Sequence, residues 1–99
     1  MKIQWTKTAL FDLNRLHDFV TPINPASAQK LLDLVIKATS RIQVHPRLGE
    51  QLFNFVPKEL RRIVIGKYVM HYEIASEVIL ILRIWHTREH RTATPNTAE

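Results

Sequence analysis

The stretch from Glu59 to Arg91, ELRRIVIGKYVMHYEIASEVILILRIWHTREHR, leaves this chain few folds to choose from. Three apolar runs, Leu60–Ile65, Tyr68–Ile74 and Val78–His86, are separated by two short turns. Runs of this length with period-two alternation read as strands. Connections this short force neighbouring strands to be antiparallel, so the three form a meander. Gly66 and Lys67 make the first turn, where glycine tolerates a positive φ, and Ala75 to Glu77 make the second. The last run is the most apolar and should be an inner strand, because an apolar strand needs cover on both faces.

The segment before this meander is helical. Lys2 to Trp5 alternates like a short strand. Thr6 or Thr8 can then cap a helix, with Ala9, Leu13, Leu16 and Val20 on one stripe, Leu10 and Phe19 widening it, and Pro22 stopping it. Asn24 as N-cap and Pro25 at the first helical position open a second helix, with Leu31, Leu34, Val35, Ala38 and Ile42 on its stripe. The short connection makes the helices a hairpin. The stretch from His45 to Gly49 ends it. Gln51 to Pro57 reads as a loop whose aromatic side chains plug the edge of the core. The expected fold is α+β, in the order β-α-α-β-β-β: a small antiparallel sheet covered on one face by a helical hairpin, with the first strand at an edge or beside the last strand.

Ninety-nine residues make a single domain, here expected over 1–91, with 92–99 as a polar tail. No run approaches the ~18 apolar residues of a membrane span, and no N-terminal segment has signal-peptide character. The absence of cysteine rules out disulfides and thiolate metal sites and fits a cytoplasmic location. The net charge of +5 points to an anionic partner, but the charge is spread evenly: residues 1–57 and 58–91 each carry 7 basic and 4 acidic residues. Any basic face has to be assembled by folding.

Strict alternation puts Ile79, Ile81, Arg83 and Trp85 on one face of the last strand, and Val78, Leu80, Leu82, Ile84 and His86 on the other, which should face the helices. Arg83 is the sharpest single signal. An arginine inside an apolar strand needs an anion, either Glu73 on the neighbouring strand or a phosphate or carboxylate from a partner. Arg61, Arg62 and Lys67 are expected to cluster near one end of the sheet, and His86, Arg88, His90 and Arg91 past the last strand. The His86–His90 spacing leaves a strand for a loop, so no metal site and no cofactor are expected. There is no nucleophile elbow and no glycine-rich phosphate loop. RNA cleavage is the one enzymatic chemistry for which the residue types are present: His71, Glu73 and His86 as acid or base, with arginines for the phosphate.

The fragments PRLG (46–49), ELRR (59–62), GKYVMHY (66–72) and ILRIWHTREHR (81–91), in this order and spacing, resemble the RelE/ParE superfamily of toxins from type II toxin–antitoxin systems. The resemblance runs from Ile3 to about Arg91 and implies a curved antiparallel sheet with a helical hairpin. It also implies a cognate antitoxin as partner, in a hetero-oligomer. RelE-like members are ribosome-dependent mRNA endoribonucleases; ParE-like members poison DNA gyrase by binding. RelE-like ribonucleases carry an arginine after the aromatic residue or histidine that opens the strand after the glycine turn, whereas Tyr68 here is followed by Val69. Arg88 matches the arginine after their last strand, and Arg61 or Arg62 roughly matches a basic residue two strands earlier. The segments GKYVMHYEI and ILRIWHTREHR look more like the ParE branch. What carries over is Tyr68, Arg83, His86 and Arg88 as interaction residues, with gyrase as the expected target and ribosome and mRNA as the alternative.

Overall fold

A computed structural model describes residues 1–89; the expectations for His90, Arg91 and the tail at 92–99 lie outside the described residues. The chain forms β1 (Lys2–Trp5), α1 (Lys7–Val20), α2 (Pro25–Val44), β2 (Glu50–Gln51), β3 (Glu59–Ile65), β4 (Tyr68–Ala75) and β5 (Val78–His86). Single 3-10 turns occur at Pro46–Leu48, Phe53–Phe55 and Thr87–Glu89. The fold is the expected α+β arrangement, with a two-residue edge strand added before the meander.

The sheet order is β1-β5-β4-β3-β2. The meander β3-β4-β5 is antiparallel, and β1 lies at the edge beside β5. That edge pairing is parallel, Ile3 opposite Ile79 and Trp5 opposite Ile81, so the sheet is mixed rather than wholly antiparallel. The reason is the connection: two helices carry the chain far enough to return in either sense, whereas the short turns of the meander allow only one. Gly66 takes φ +63 in the first of those turns.

Local chemistry explains where the helices begin. The Thr6 hydroxyl accepts from the Ala9 N–H at 3.2 Å, and the Asn24 side chain accepts from Ala26 and Ser27 N–H at 3.1 and 3.3 Å. The core lies between the hairpin and one sheet face. It joins Ala9, Leu16, Leu31, Val35, Ala38 and Ile42 to Met70, Tyr72, Ile79, Ile81 and Ile84. Three expected stripe residues are not in it: Leu10 and Phe19 are exposed, and Val20 is half-buried outside the cluster. Asp12 is buried instead, at 2% exposure. Phe53 and Val56 are also exposed, so the 52–57 loop does not plug the core with them.

The last strand departs from plain alternation. His71 pairs with Arg83 and Tyr72 with Ile81, so Leu82 is an extra residue with no partner opposite. This bulge reverses the facing of everything after it. Ile79 and Ile81, expected on the outer face, point into the core; after the bulge, Ile84 does so too. Leu80, expected to face the helices, pairs with Glu73 on the outer side. Without the extra residue, Arg83 would follow Ile79 and Ile81 into the core.

Candidate functional site

The face of the sheet turned away from the helices carries three cross-strand rows. Leu60, Glu73 and Leu80 form one, Arg62, His71 and Arg83 the next, and Val64, Val69 and Trp85 the third. The middle row is the basic surface that the even charge distribution required folding to build. It adjoins an apolar row in which Val64 is 58% exposed, and Trp85 reaches back to meet His71 edge-on at 4.7 Å between ring centroids.

His71 sits between two guanidinium-bearing strands. Burial pushes its pKa down to about 4, and the charges of Arg62 and Arg83 act in the same direction. At neutral pH it is an uncharged imidazole. Arg62 donates to Glu50 at 2.7 Å on the open edge of the sheet, and both side chains are exposed.

Arg83 is not paired with Glu73. Its Nε and Nη2 donate to the two carboxylate oxygens of Asp12 on α1, at 2.7 and 3.2 Å. Asp12 Oδ2 also accepts from the Ile84 N–H at 3.1 Å. This pairing is possible because β1 stops at Trp5, opposite Ile81. From the bulge onward, α1 rather than a strand lies along the edge of β5, and its side chains take up the backbone groups left there. The Thr6 hydroxyl donates to Ile81 O at 2.8 Å as part of the same seam. Hydrogen bonding to Asp12 pushes the Arg83 pKa further up.

Arg61 turns to the other side and becomes structural. Its side chain is only 13% exposed; it donates to Gly49 O at 2.7 Å and to Glu59 at 2.9 Å. Arg47 grips the same Glu59 carboxylate, at 2.9 and 3.0 Å. These bonds, with Arg47 first, hold the Glu59 pKa below the usual value against the opposing effect of burial. The PRLG fragment is thus a corner held by Arg61 and Tyr72. Tyr72 Oη accepts from the Gly49 N–H at 2.9 Å and donates to Pro46 O at 2.7 Å. A Cβ on Gly49 would lie 2.8 Å from both Arg62 O and Tyr72 Oη, which is why glycine stands there.

Lys67 does not join Arg61 and Arg62. It lies five residues beyond Arg62, roughly 17 Å along a strand, in the turn whose Lys67 O accepts from the Thr87 N–H at 2.8 Å. It belongs with Tyr68, His86 and Arg88 at the far end of the sheet. There Tyr68 is buried with its ring edge-on to His86 at 5.3 Å. His86 Nδ1 accepts from the Arg88 N–H at 3.0 Å, and the His86 N–H donates to Glu89 at 2.8 Å. Arg15 on α1 also donates to Glu89. The seven expected residues therefore divide into a mid-sheet row (Arg62, Arg83), an end cluster (Lys67, Tyr68, His86, Arg88) and one corner brace (Arg61).

Reading the residues alone left Asp12 out. Its signal was available: a carboxylate three residues after Ala9 and four before Leu16 lies on the buried stripe, and a buried carboxylate requires a cation.

Comparison with known proteins supplies the lineage. A family model described as "ParE toxin of type II toxin-antitoxin system, parDE" matches residues 3–91. Toxin RelE2 of Caulobacter vibrioides is 29% identical over 85 residues, which span 86% of this chain and 93% of that protein. Among solved structures, the chromosomal ParDE toxin–antitoxin system of P. aeruginosa superposes with a TM-score of 0.70 at 24% identity, covering 87% of this chain and 95% of the other. The RelBE2 toxin–antitoxin complex of Mycobacterium tuberculosis does so with a TM-score of 0.55 at 25% identity, covering 86% and 95%. With its strand–hairpin–meander order and a family match over nearly the whole chain, this protein belongs to the ParE toxin family of type II toxin–antitoxin systems, within the RelE/ParE superfamily.

Proposed function

We propose that this toxin acts as a binding inhibitor of DNA gyrase, neutralised by a cognate antitoxin, and that the outer sheet face is its working surface. The observation that carries this reading is the make-up of that face. Cleaving RNA needs a base for the 2′-hydroxyl, an acid for the leaving oxygen and cations on the phosphate. The position after Tyr68 is Val69, which lies on the outer face and is 8% exposed, so the arginine expected of a RelE-like ribonuclease is replaced by an apolar side chain. In the middle row a single neutral imidazole stands between two guanidiniums, each held by a carboxylate. A row of directed donors beside an apolar strip suits adhesion to a protein surface.

Purified gyrase with the toxin in excess provides the test. Supercoiling is expected to fall, and unchanged supercoiling would end this reading. The ribonuclease reading has two observations of its own: the 29% identical relative carries the name RelE2, and Arg88 is exposed just past β5. Primer extension on mRNA in a translating extract separates the two, because cleavage that disappears in Arg88→Ala would establish the nuclease. An inactive binding module of the same fold is the third reading, and induced expression without growth arrest would identify it.

The antitoxin enters this proposal through the solved relatives, both of which are toxin–antitoxin systems. The hairpin offers exposed Leu10, Phe11, Phe19, Ile23 and Ile36, and the sheet edge offers Arg62. An amphipathic acidic segment matches both.

A further inference from the structure

Three arginines of the meander have side-chain partners, but their circumstances differ. Arg61 donates inward from a side chain only 13% exposed, so little of it is offered to a partner. Arg62 is held by Glu50, which is itself 66% exposed, and an ion pair between two exposed side chains exchanges freely with solvent. Arg83 alone combines a buried anchor with an open edge. Asp12 is 2% exposed, while the Arg83 side chain is 53% exposed. The anchor uses Nε and Nη2; Nη1 makes no hydrogen bond among the described residues.

We propose that Asp12 is the positioning residue of the outer face: it fixes the Arg83 guanidinium so that its free edge is presented, beside His71, to an oxyanion of a partner. This rests on the reading that the outer face is the working surface. Asp12 acts twice. By accepting from the Ile84 N–H it takes up a backbone donor at the bulge, and the bulge is what turns Arg83 and Trp85 outward. By gripping Nε and Nη2 it removes the rotational freedom that a half-exposed arginine would otherwise lose on binding. The ligand chemistry is that of a phosphate or carboxylate group, which a guanidinium meets with parallel N–H donors.

The test follows the Arg83 Nε–H resonance of the full chain during titration with inorganic phosphate and, separately, with acetate. A shift with phosphate alone assigns the site to a phosphate source, and a shift with acetate to an acidic side chain. Asp12→Asn retains an oxygen for the Ile84 N–H but lacks the charge that holds the fork. Arg83→Lys retains the charge but has no fork. With binding followed through backbone resonances of His71 and Arg62, each variant is expected to bind the oxyanion about tenfold more weakly than the wild type. A merely structural Asp12 would lower the melting temperature and leave the affinity of the folded protein unchanged. Unchanged affinity in either variant overturns the proposal, as does a wild type whose Arg83 responds to neither ion. Should Asp12→Asn fail to fold, Arg83→Lys decides. Gyrase is absent from this experiment, so a negative supercoiling assay leaves the proposal standing, and unchanged affinity sinks it even where gyrase is inhibited.

Discussion

At Tyr72 a single phenol ties the middle strand to the loop that follows α2. It accepts from one backbone group and donates to another, and it is fully buried. Burial raises its pKa, so it stays a neutral donor at physiological pH. Removing the hydroxyl in Tyr72→Phe leaves the Gly49 N–H and Pro46 carbonyl without their partner. The expected cost is about 1–3 kcal/mol, measurable as a lower urea midpoint with an unchanged m-value. His71 supplies the second residue-scale prediction. Its folded pKa is lowered from 6.5 to about 4, so between those values the unfolded chain binds a proton that the folded chain does not. Stability is therefore lost as pH falls from 6.5 toward 4, by at most about 3 kcal/mol, with no contribution from this group above 6.5. Urea titrations at pH 7 and pH 5 should show this loss, and His71→Gln should reduce it. An equal slope in the variant would assign the effect elsewhere.

At the scale of elements, the seam between α1 and β5 decides how the sheet presents itself. Thr6 performs three tasks there: its hydroxyl caps α1 through the Ala9 N–H and donates to Ile81 O, while its own N–H bonds the same carbonyl at 3.1 Å. Thr6→Val keeps the shape and removes the hydroxyl, with an expected loss of about 1–2 kcal/mol. Hydrogen exchange should then quicken in the first turn of α1 and around Leu82; faster exchange spread evenly over the protein would contradict this. At this seam the residue-level reading of faces failed. In β4 plain alternation holds, with Tyr68, Met70 and Tyr72 buried on one side, because that strand has no insertion. In β5 the run from Val78 to Leu82 is apolar without a break, so a single extra residue there leaves no trace in the hydropathy pattern, and the faces of Ile79, Ile81 and Leu80 came out reversed.

Across the whole molecule, the helices cover one sheet face and leave the other uncovered among the described residues. Because Arg62 contributes an exposed ion pair worth about 0–1 kcal/mol, Arg62→Glu should barely move the melting temperature. It should nonetheless weaken the complex with an acidic antitoxin, and a pull-down with unaltered affinity would refute that contact. Arg61→Glu is no such test, since it would break the corner at Gly49 and Glu59. Among the described residues no helix is long and apolar enough to cross a membrane.

From its sequence alone this protein could be read as two capped helices followed by a three-stranded meander, because helical and strand periods, caps and tight turns are written in residues close together along the chain. The register and facing of β5, the parallel pairing of β1, and the choice of Asp12 rather than Glu73 as partner for Arg83 were settled only in three dimensions. The last two depend on groups more than 70 residues apart meeting at one edge of a sheet, and the first on a bulge that an apolar run does not mark; no local pattern encodes which of two carboxylates a guanidinium will reach.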